Sequence, residues 1–196
     1  MKRRSNMKLL IRGGSIAAGY GVARGYADIL KDTLTTHEIQ VINRSRYRET
    51  SFEGIETFNE DIAAFAPDIL LLHFGVDDAF GYVYRSEFQE NIVQIIRRAR
   101  TLFHPLIFLA TAHTFDNTHD MAAVDIFYRS VRLVAVDLNC KFISLDRYWA
   151  GYLAKNGLES ADLVLSDPRY PNEKGHEVFA QAIMKALYRA LPALTK

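Results

Sequence analysis

The chain has 196 residues, with 24 Lys and Arg against 23 Asp and Glu, a net charge of +1, 49% hydrophobic residues and one cysteine. The apolar fraction excludes a disordered chain, the charge balance gives no whole-chain electrostatic footprint for nucleic acid, and Cys140 alone can form neither an internal disulfide nor a cysteine-based metal site. The expectation is one well-cored soluble domain over 1–196, with 1–6 as a flexible tail.

In chain order, Met7 to Arg12 reads as a first strand, and Val22, Tyr26, Ile29, Leu30 and Leu34 give a helix within Tyr20 to Leu34. Ile39 to Ile42 is a second strand, and Ile55, Phe58, Ile62 and Phe65 mark a helix from Phe52 to Phe65. Pro67 and Asp68 stop that helix before a third strand, Ile69 to Phe74. A basic helix from Phe88 to Phe103 is punctuated by Pro105, and Leu106 to Ala110 is the fourth strand. Ala122 to Leu138 is a helix, and Phe142 to Leu145 is the fifth strand. Asn172 caps a last helix that runs to about Leu191, before Pro192.

No apolar run approaches the roughly 18 residues of a membrane span. Lys2, Arg3 and Arg4 are not followed by the apolar stretch of a signal peptide, because Lys8 and Arg12 interrupt it. The reading is a cytoplasmic protein with no membrane partner.

Near-continuous apolar strands alternating with helices predict a parallel sheet covered on both faces. The fold class is α/β: a three-layer, flavodoxin-like, doubly wound sheet of about five strands. Ligands bind such sheets at the carboxyl ends of the strands. The loops that matter are therefore Gly13 to Gly21, Asn43 to Ser51, Gly75 to Tyr84, Ala112 to Asp120, and the segment before the last helix.

Three of these segments carry a pattern. Gly13-Gly14-Ser15 follows the first strand, Gly75-Val76-Asp77-Asp78 follows the third, and Asp167-Pro168-Arg169-Tyr170-Pro171-Asn172-Glu173-Lys174-Gly175-His176 leads into the last helix. In this order and spacing the chain resembles the SGNH/GDSL hydrolase family over essentially its whole length. The resemblance implies a serine nucleophile at Ser15, an aspartate at Asp167, no cofactor and an ester substrate. It also marks four departures. The histidine position holds Tyr170, the oxyanion asparagine position holds Asp77, the second-block glycine falls at about Arg48, and the residue before the serine is Gly14.

Each departure has a chemical consequence. Without an adjacent base, a serine hydroxyl is a poor nucleophile. Tyr170 is protonated at neutral pH. An ionised Asp77 offers only acceptors, so it repels an oxyanion. Loss of one oxyanion donor costs about 10²–10³ in rate. His113 and His119, in the loop after the fourth strand, are the candidates for a displaced base, because triads are defined by geometry and not by chain order.

Arg44, Arg46 and Arg48 alternate through an extended segment and should share a face. With Arg12 and Arg169 on neighbouring loops they form a candidate site for a small anionic ligand, since guanidinium groups pair bidentately with phosphates and carboxylates. The alternative is a surface network in which they pair with Glu49, Asp77, Asp78 and Asp167. Carboxylates at loop positions give no specific case for a metal. Two functions stay open: an esterase or acyl-transfer enzyme acting on a small or carbohydrate ester, and a catalytically silent binding or regulatory protein with an arginine-rich cleft. A third is a changed chemistry built on Asp77 and Tyr170.

Overall fold

The computed structural model describes residues 7–191. The predicted tail, 1–6, and Pro192 lie outside the described residues. The elements run β1 (Met7–Gly13), α1 (Ser15–Ala18), α2 (Tyr26–Thr35), β2 (Ile39–Asn43), α3 (Ser51–Glu56), α4 (Phe58–Asp61), β3 (Ile69–His73), α5 (Val76–Phe80), α6 (Arg85–Phe103), β4 (Leu106–Ala110), α7 (Thr118–Asp137), β5 (Lys141–Ile143), α8 (Leu145–Asn156) and α9 (Glu173–Ala190), with short 3₁₀ turns at Ala63–Phe65 and Ser160–Asp162.

All strand pairs are parallel, in the order β2-β1-β3-β4-β5. Alternate strand residues face opposite layers. Leu9, Ile11, Ile69, Leu71, Phe108 and Ala110 pack with α2, α8 and α9 on one side. Leu10, Leu70, Leu72, Ile107 and Leu109 pack with α4, α6 and α7 on the other. Each fully buried aliphatic side chain contributes roughly 1.5–3 kcal/mol of transfer free energy to this three-layer arrangement. The fold class read from the sequence is the one observed.

Several elements differ from the sequence reading. The single helix expected over Phe52 to Phe65 is two helices and a 3₁₀ turn, broken at Thr57 and at Ile62, whose φ of −120° leaves the helical region. α2 starts at Tyr26, after a loop with left-handed Gly19 and Gly21. α7 starts four residues earlier than the apolar pattern suggests, because the Asn117 side chain accepts from the backbone N–H of His119 and Asp120 and caps it. α8 was not anticipated. Its Leu145 and Trp149 are buried one helical turn apart.

Among the described residues, no helix is long and apolar enough to cross a membrane.

Candidate active site

The carboxyl ends of β1 and β3 and the segment before α9 meet as the fold class requires. Ser15 opens α1 directly after β1 and is fully buried. Its hydroxyl donates to Asp77 Oδ1 at 2.6 Å, and its backbone N–H donates to Asp77 Oδ2 at 2.7 Å. The backbone N–H of Arg48 donates to Ser15 Oγ at 2.9 Å. One carboxylate thus takes both donors of the serine. The two backbone amides that the SGNH pattern would turn toward an oxyanion are both spent inside the protein.

This arrangement depends on Gly14. A Cβ there would lie 2.1 Å from Asp77 Oδ2 and 2.5 Å from the Glu49 carbonyl oxygen. No side chain fits before the serine while Asp77 stays on it, so the departures at positions 14 and 77 form one structural unit. Arg48 occupies the left-handed region, with φ 62°. Glycine adopts that conformation without penalty, which accounts for the glycine of the family pattern at this turn. Here an arginine bears the strain.

Burial pushes the Asp77 carboxyl above its ordinary range, offset in part by the two Ser15 hydrogen bonds and by Arg169 and Arg48 nearby. Asp78, beside it, accepts from the backbone N–H of Ser51 at 2.8 Å and of Gly75 at 3.0 Å. It ties the second loop to the third, and burial pushes it up to about 6. Gly75 makes the sharp turn from β3 into α5 at φ 124°.

Tyr170 is buried, and its phenol is raised further by burial and by Asp77, with the Ser15 hydroxyl acting in the opposite sense. It is a neutral phenol at pH 7, as its residue type implies. Asp167 does not orient a histidine. It pairs with Arg169, accepting from Nε at 2.9 Å and from Nη2 at 2.5 Å, and this pairing holds its carboxyl below the usual range.

Neither candidate replacement base hydrogen-bonds to Ser15. The His113 ring is fully buried, donates from Nε2 to the Pro168 carbonyl at 2.9 Å and packs on Phe115 and Trp149. Burial pulls it down to about 4. His119 is exposed in the first turn of α7, and its ring makes no hydrogen bond among the described residues. Both were expected to face the site from a loop. His113 faces the core because the chain after β4 packs inward there, and His119 is carried onto α7 by the Asn117 cap.

The structure divides the five arginines of the expected anion site, with Arg48 and Arg169 lining the cleft and the other three paired below it. Arg12 is fully buried and pairs with Glu49 and Asp61. Arg44 and Arg46 do share a face, and that face meets the buried Asp61, with contacts of 2.8 Å and 2.7 Å. Burial alone would raise Asp61, but hydrogen bonds from Arg46, Thr57 and Arg44 hold it down to about 2. Arg169 is engaged by Asp167. Of the five, only the Arg48 guanidinium has no ion-pair or hydrogen-bond partner among the described residues, because its left-handed backbone turns it out of the alternation. Asp61 itself was missed: nothing in the local pattern around it marks it as a shared counter-ion for three arginines.

Above Ser15 lies a cleft of about 490 Å³ lined by Tyr47, Arg48, Thr50, Glu53, Val76, Asp77, Phe80, Gly81, Tyr82, Arg169 and Tyr170. Tyr47 stacks on Tyr20 at 4.1 Å, and Tyr20 meets the edge of Tyr170 at 4.8 Å. Tyr82 is almost wholly exposed. Among the described residues, no group of three His, Cys, Asp or Glu side chains is arranged to hold a metal ion.

Comparison with known proteins gives the site its context. No curated protein matches the chain. Among solved structures it is similar to Axe2, an acetylxylan esterase from Geobacillus stearothermophilus, with TM-score 0.82 and 24% identity over 95% of this chain and 96% of that one. Axe2 variants described as catalytic mutants replace a serine, an aspartate, and a histidine three positions beyond that aspartate. The chain is also similar to LAE5, an alpha/beta hydrolase enzyme from the metagenome of Lake Arreo, Spain, with TM-score 0.81 and 19% identity over 93% and 95% of the two chains. At these identities the likeness establishes the hydrolase fold. The pattern of the GDSL-like Lipase/Acylhydrolase family matches residues 12–178, most of the chain. On that match the chain belongs to the GDSL-like lipase/acylhydrolase family, whose esterase relatives share its architecture.

Proposed function

We propose that this member of the family holds a small, uncharged, polyhydroxylated compound in the cleft over Ser15, and that it does not cleave esters by the family's serine-histidine-aspartate route. One observation carries the reading: the Asp77 carboxylate accepts both the hydroxyl and the amide proton of Ser15. A negative charge then sits where a tetrahedral oxyanion would form, and the serine is fully buried beneath it. The residue three positions beyond Asp167 is Tyr170, where the Axe2 catalytic mutants place a histidine. The ligand class follows from the lining. Arg48 and Arg169 are balanced by Asp77 and Glu53, and Tyr47, Phe80 and Tyr82 supply ring faces. A charge-balanced, ring-lined cleft suits hydroxyl groups better than a phosphate. Acetylxylan esterases of the same fold act on carbohydrate esters by name, which supports the same direction.

The test is restoration. Asp77→Asn with Tyr170→His returns an amide donor and an imidazole to the two altered positions. The reading expects ester hydrolysis from the double variant and none from the wild type.

A second reading rests on the 2.6 Å hydroxyl–carboxylate bond itself. Asp77, raised by burial, would act as the base for Ser15 and give an esterase of altered mechanism. It expects wild-type hydrolysis that is lost in Ser15→Ala and in Asp77→Asn alike.

A further inference from the structure

Between α8 and α9 runs a groove of about 420 Å³ that shares no residue with the cleft over Ser15. Arg147 and Lys155 from α8 and Lys185 from α9 line it, all three exposed, and no carboxylate does. None of these three cations has an ion-pair partner among the described residues. The helices are tied together at this groove: the Tyr148 hydroxyl donates to Gln181 Oε1 at 3.4 Å, and Lys185 Nζ lies 5.8 Å from the centroid of the Tyr148 ring. In a chain of net charge +1, three unpaired cations around one groove are a local excess.

Gly151 lies in the interior of α8 and lines the same groove. Glycine weakens a helix interior relative to alanine. At Gly54 and Gly175, also helical, packing requires it: a Cβ would lie 2.9 Å from the Phe74 ring at the first and 2.3 Å from the Leu163 carbonyl oxygen at the second. A Cβ at Gly151 would meet nothing within 4 Å. No neighbour in the fold calls for the missing side chain, but its place in the helix does. Arg147, Gly151 and Lys155 follow one another at intervals of four residues and so form one row along α8. The absent side chain leaves a notch one residue wide, with a guanidinium on one side, an ammonium on the other, and Lys185 across the groove.

We propose that this groove is a binding site for a phosphate group, seated over Gly151. A phosphate carries up to two negative charges near neutral pH and has oxygens facing several directions. It can accept from Arg147, Lys155 and Lys185 at once, whereas a single carboxylate offers two oxygens in one plane. The same three cations repel a metal ion, and an apolar ligand would leave them unused. Tyr152 lines the groove beside the notch, so an organic body carried by the phosphate has a ring face to lie on. Free phosphate and a phosphate monoester present the same chemistry to the notch, and the experiment separates them. The site is independent of what the cleft over Ser15 binds.

The test is titration of the full ¹⁵N-labelled chain with inorganic phosphate and, separately, with phenyl phosphate, at pH 8 and constant ionic strength, followed by ¹H–¹⁵N spectra. The expected result is saturable shifts centred on residues 147–156 and 181–185. Tighter binding of phenyl phosphate identifies an ester as the ligand, and equal or weaker binding identifies the free ion; either ranking supports the site. Lys155→Gln with Lys185→Gln should weaken binding about tenfold. Gly151→Leu should abolish it with the rest of the spectrum unchanged, since the new Cβ meets no other residue. An absence of saturable shifts in these segments, shifts reproduced by sodium chloride alone, or undiminished affinity in either variant would overturn the proposal.

Discussion

Lowering the pH from 7 to 5 should destabilise this protein steeply through its buried histidines. His73 is held down to about 3, and His113 and His176 to about 4, in each case first of all by burial. The groups bonded to or packed on these rings are Tyr26, Thr111, Pro168, Phe115, Trp149 and Phe179, with no carboxylate among them to favour an imidazolium. Unfolded histidines titrate near 6.5. The folded state is therefore favoured fully above about pH 6.5, and that advantage is lost as pH falls toward the folded values, because the unfolded chain takes up protons that the native core refuses. From pH 7 to 5 each histidine costs a little under about 2 kcal/mol, and the three together between about 5 and 6 kcal/mol. Asp78 works the other way. Raised to about 6, it takes up a proton in the folded state first and returns about 1 kcal/mol over the same interval. The net loss of about 4 kcal/mol is a large part of the 5–15 kcal/mol typical of a domain. Urea denaturation followed by the fluorescence of the single tryptophan, buried Trp149, measures it directly. His176→Leu should reduce the pH dependence by about 2 kcal/mol whatever it does to absolute stability. Equal stability at pH 7 and pH 5 would refute the reasoning.

Two further predictions concern the site's scaffold. Gly14→Ala places a Cβ 2.1 Å from Asp77 Oδ2, so the carboxylate must leave Ser15; the loss of two charge-assisted hydrogen bonds should cost about 3 kcal/mol in chemical denaturation, far more than a glycine substitution in an open turn. Asp61→Ala removes the common partner of Arg12, Arg44 and Arg46 and leaves the buried Arg12 with Glu49 as its one carboxylate among the described residues; a loss of about 3–5 kcal/mol is expected, and a near-neutral result by thermal or urea unfolding would show that the ion cluster is incidental.

The strands were the legible part of this molecule. β4 matches its apolar run Leu106 to Ala110 residue for residue, and β1 and β2 each extend only one residue further than read. Runs buried on both faces announce themselves in composition. The helices were blurred where side-chain capping overrides periodicity, as at Asn117, and where a short amphipathic stretch such as Leu145–Asn156 follows a strand without a break. Gly14, Asp77, Arg48 and Tyr170 were legible as a set of departures from a family pattern around Ser15. Their joint meaning was not. Only coordinates show that Asp77 reaches across 62 positions to accept hydrogen bonds from both the hydroxyl and the amide of Ser15, and that Gly14 makes room for it. The arginines misled for a related reason. Alternation correctly put Arg44 and Arg46 on one face, but what that face meets, Asp61, is a matter of tertiary packing.

The central claim is that Asp77 holds Ser15 out of nucleophilic chemistry. Its most direct test is intact-mass analysis after treatment with a fluorophosphonate, which bonds covalently to an activated serine. The account predicts no mass increase for the wild type at any pH from 5 to 9 at which it stays folded, and a single adduct on the Asp77→Asn Tyr170→His variant that disappears when Ser15→Ala is added. A stoichiometric adduct on the wild-type protein, absent in Ser15→Ala, would contradict it.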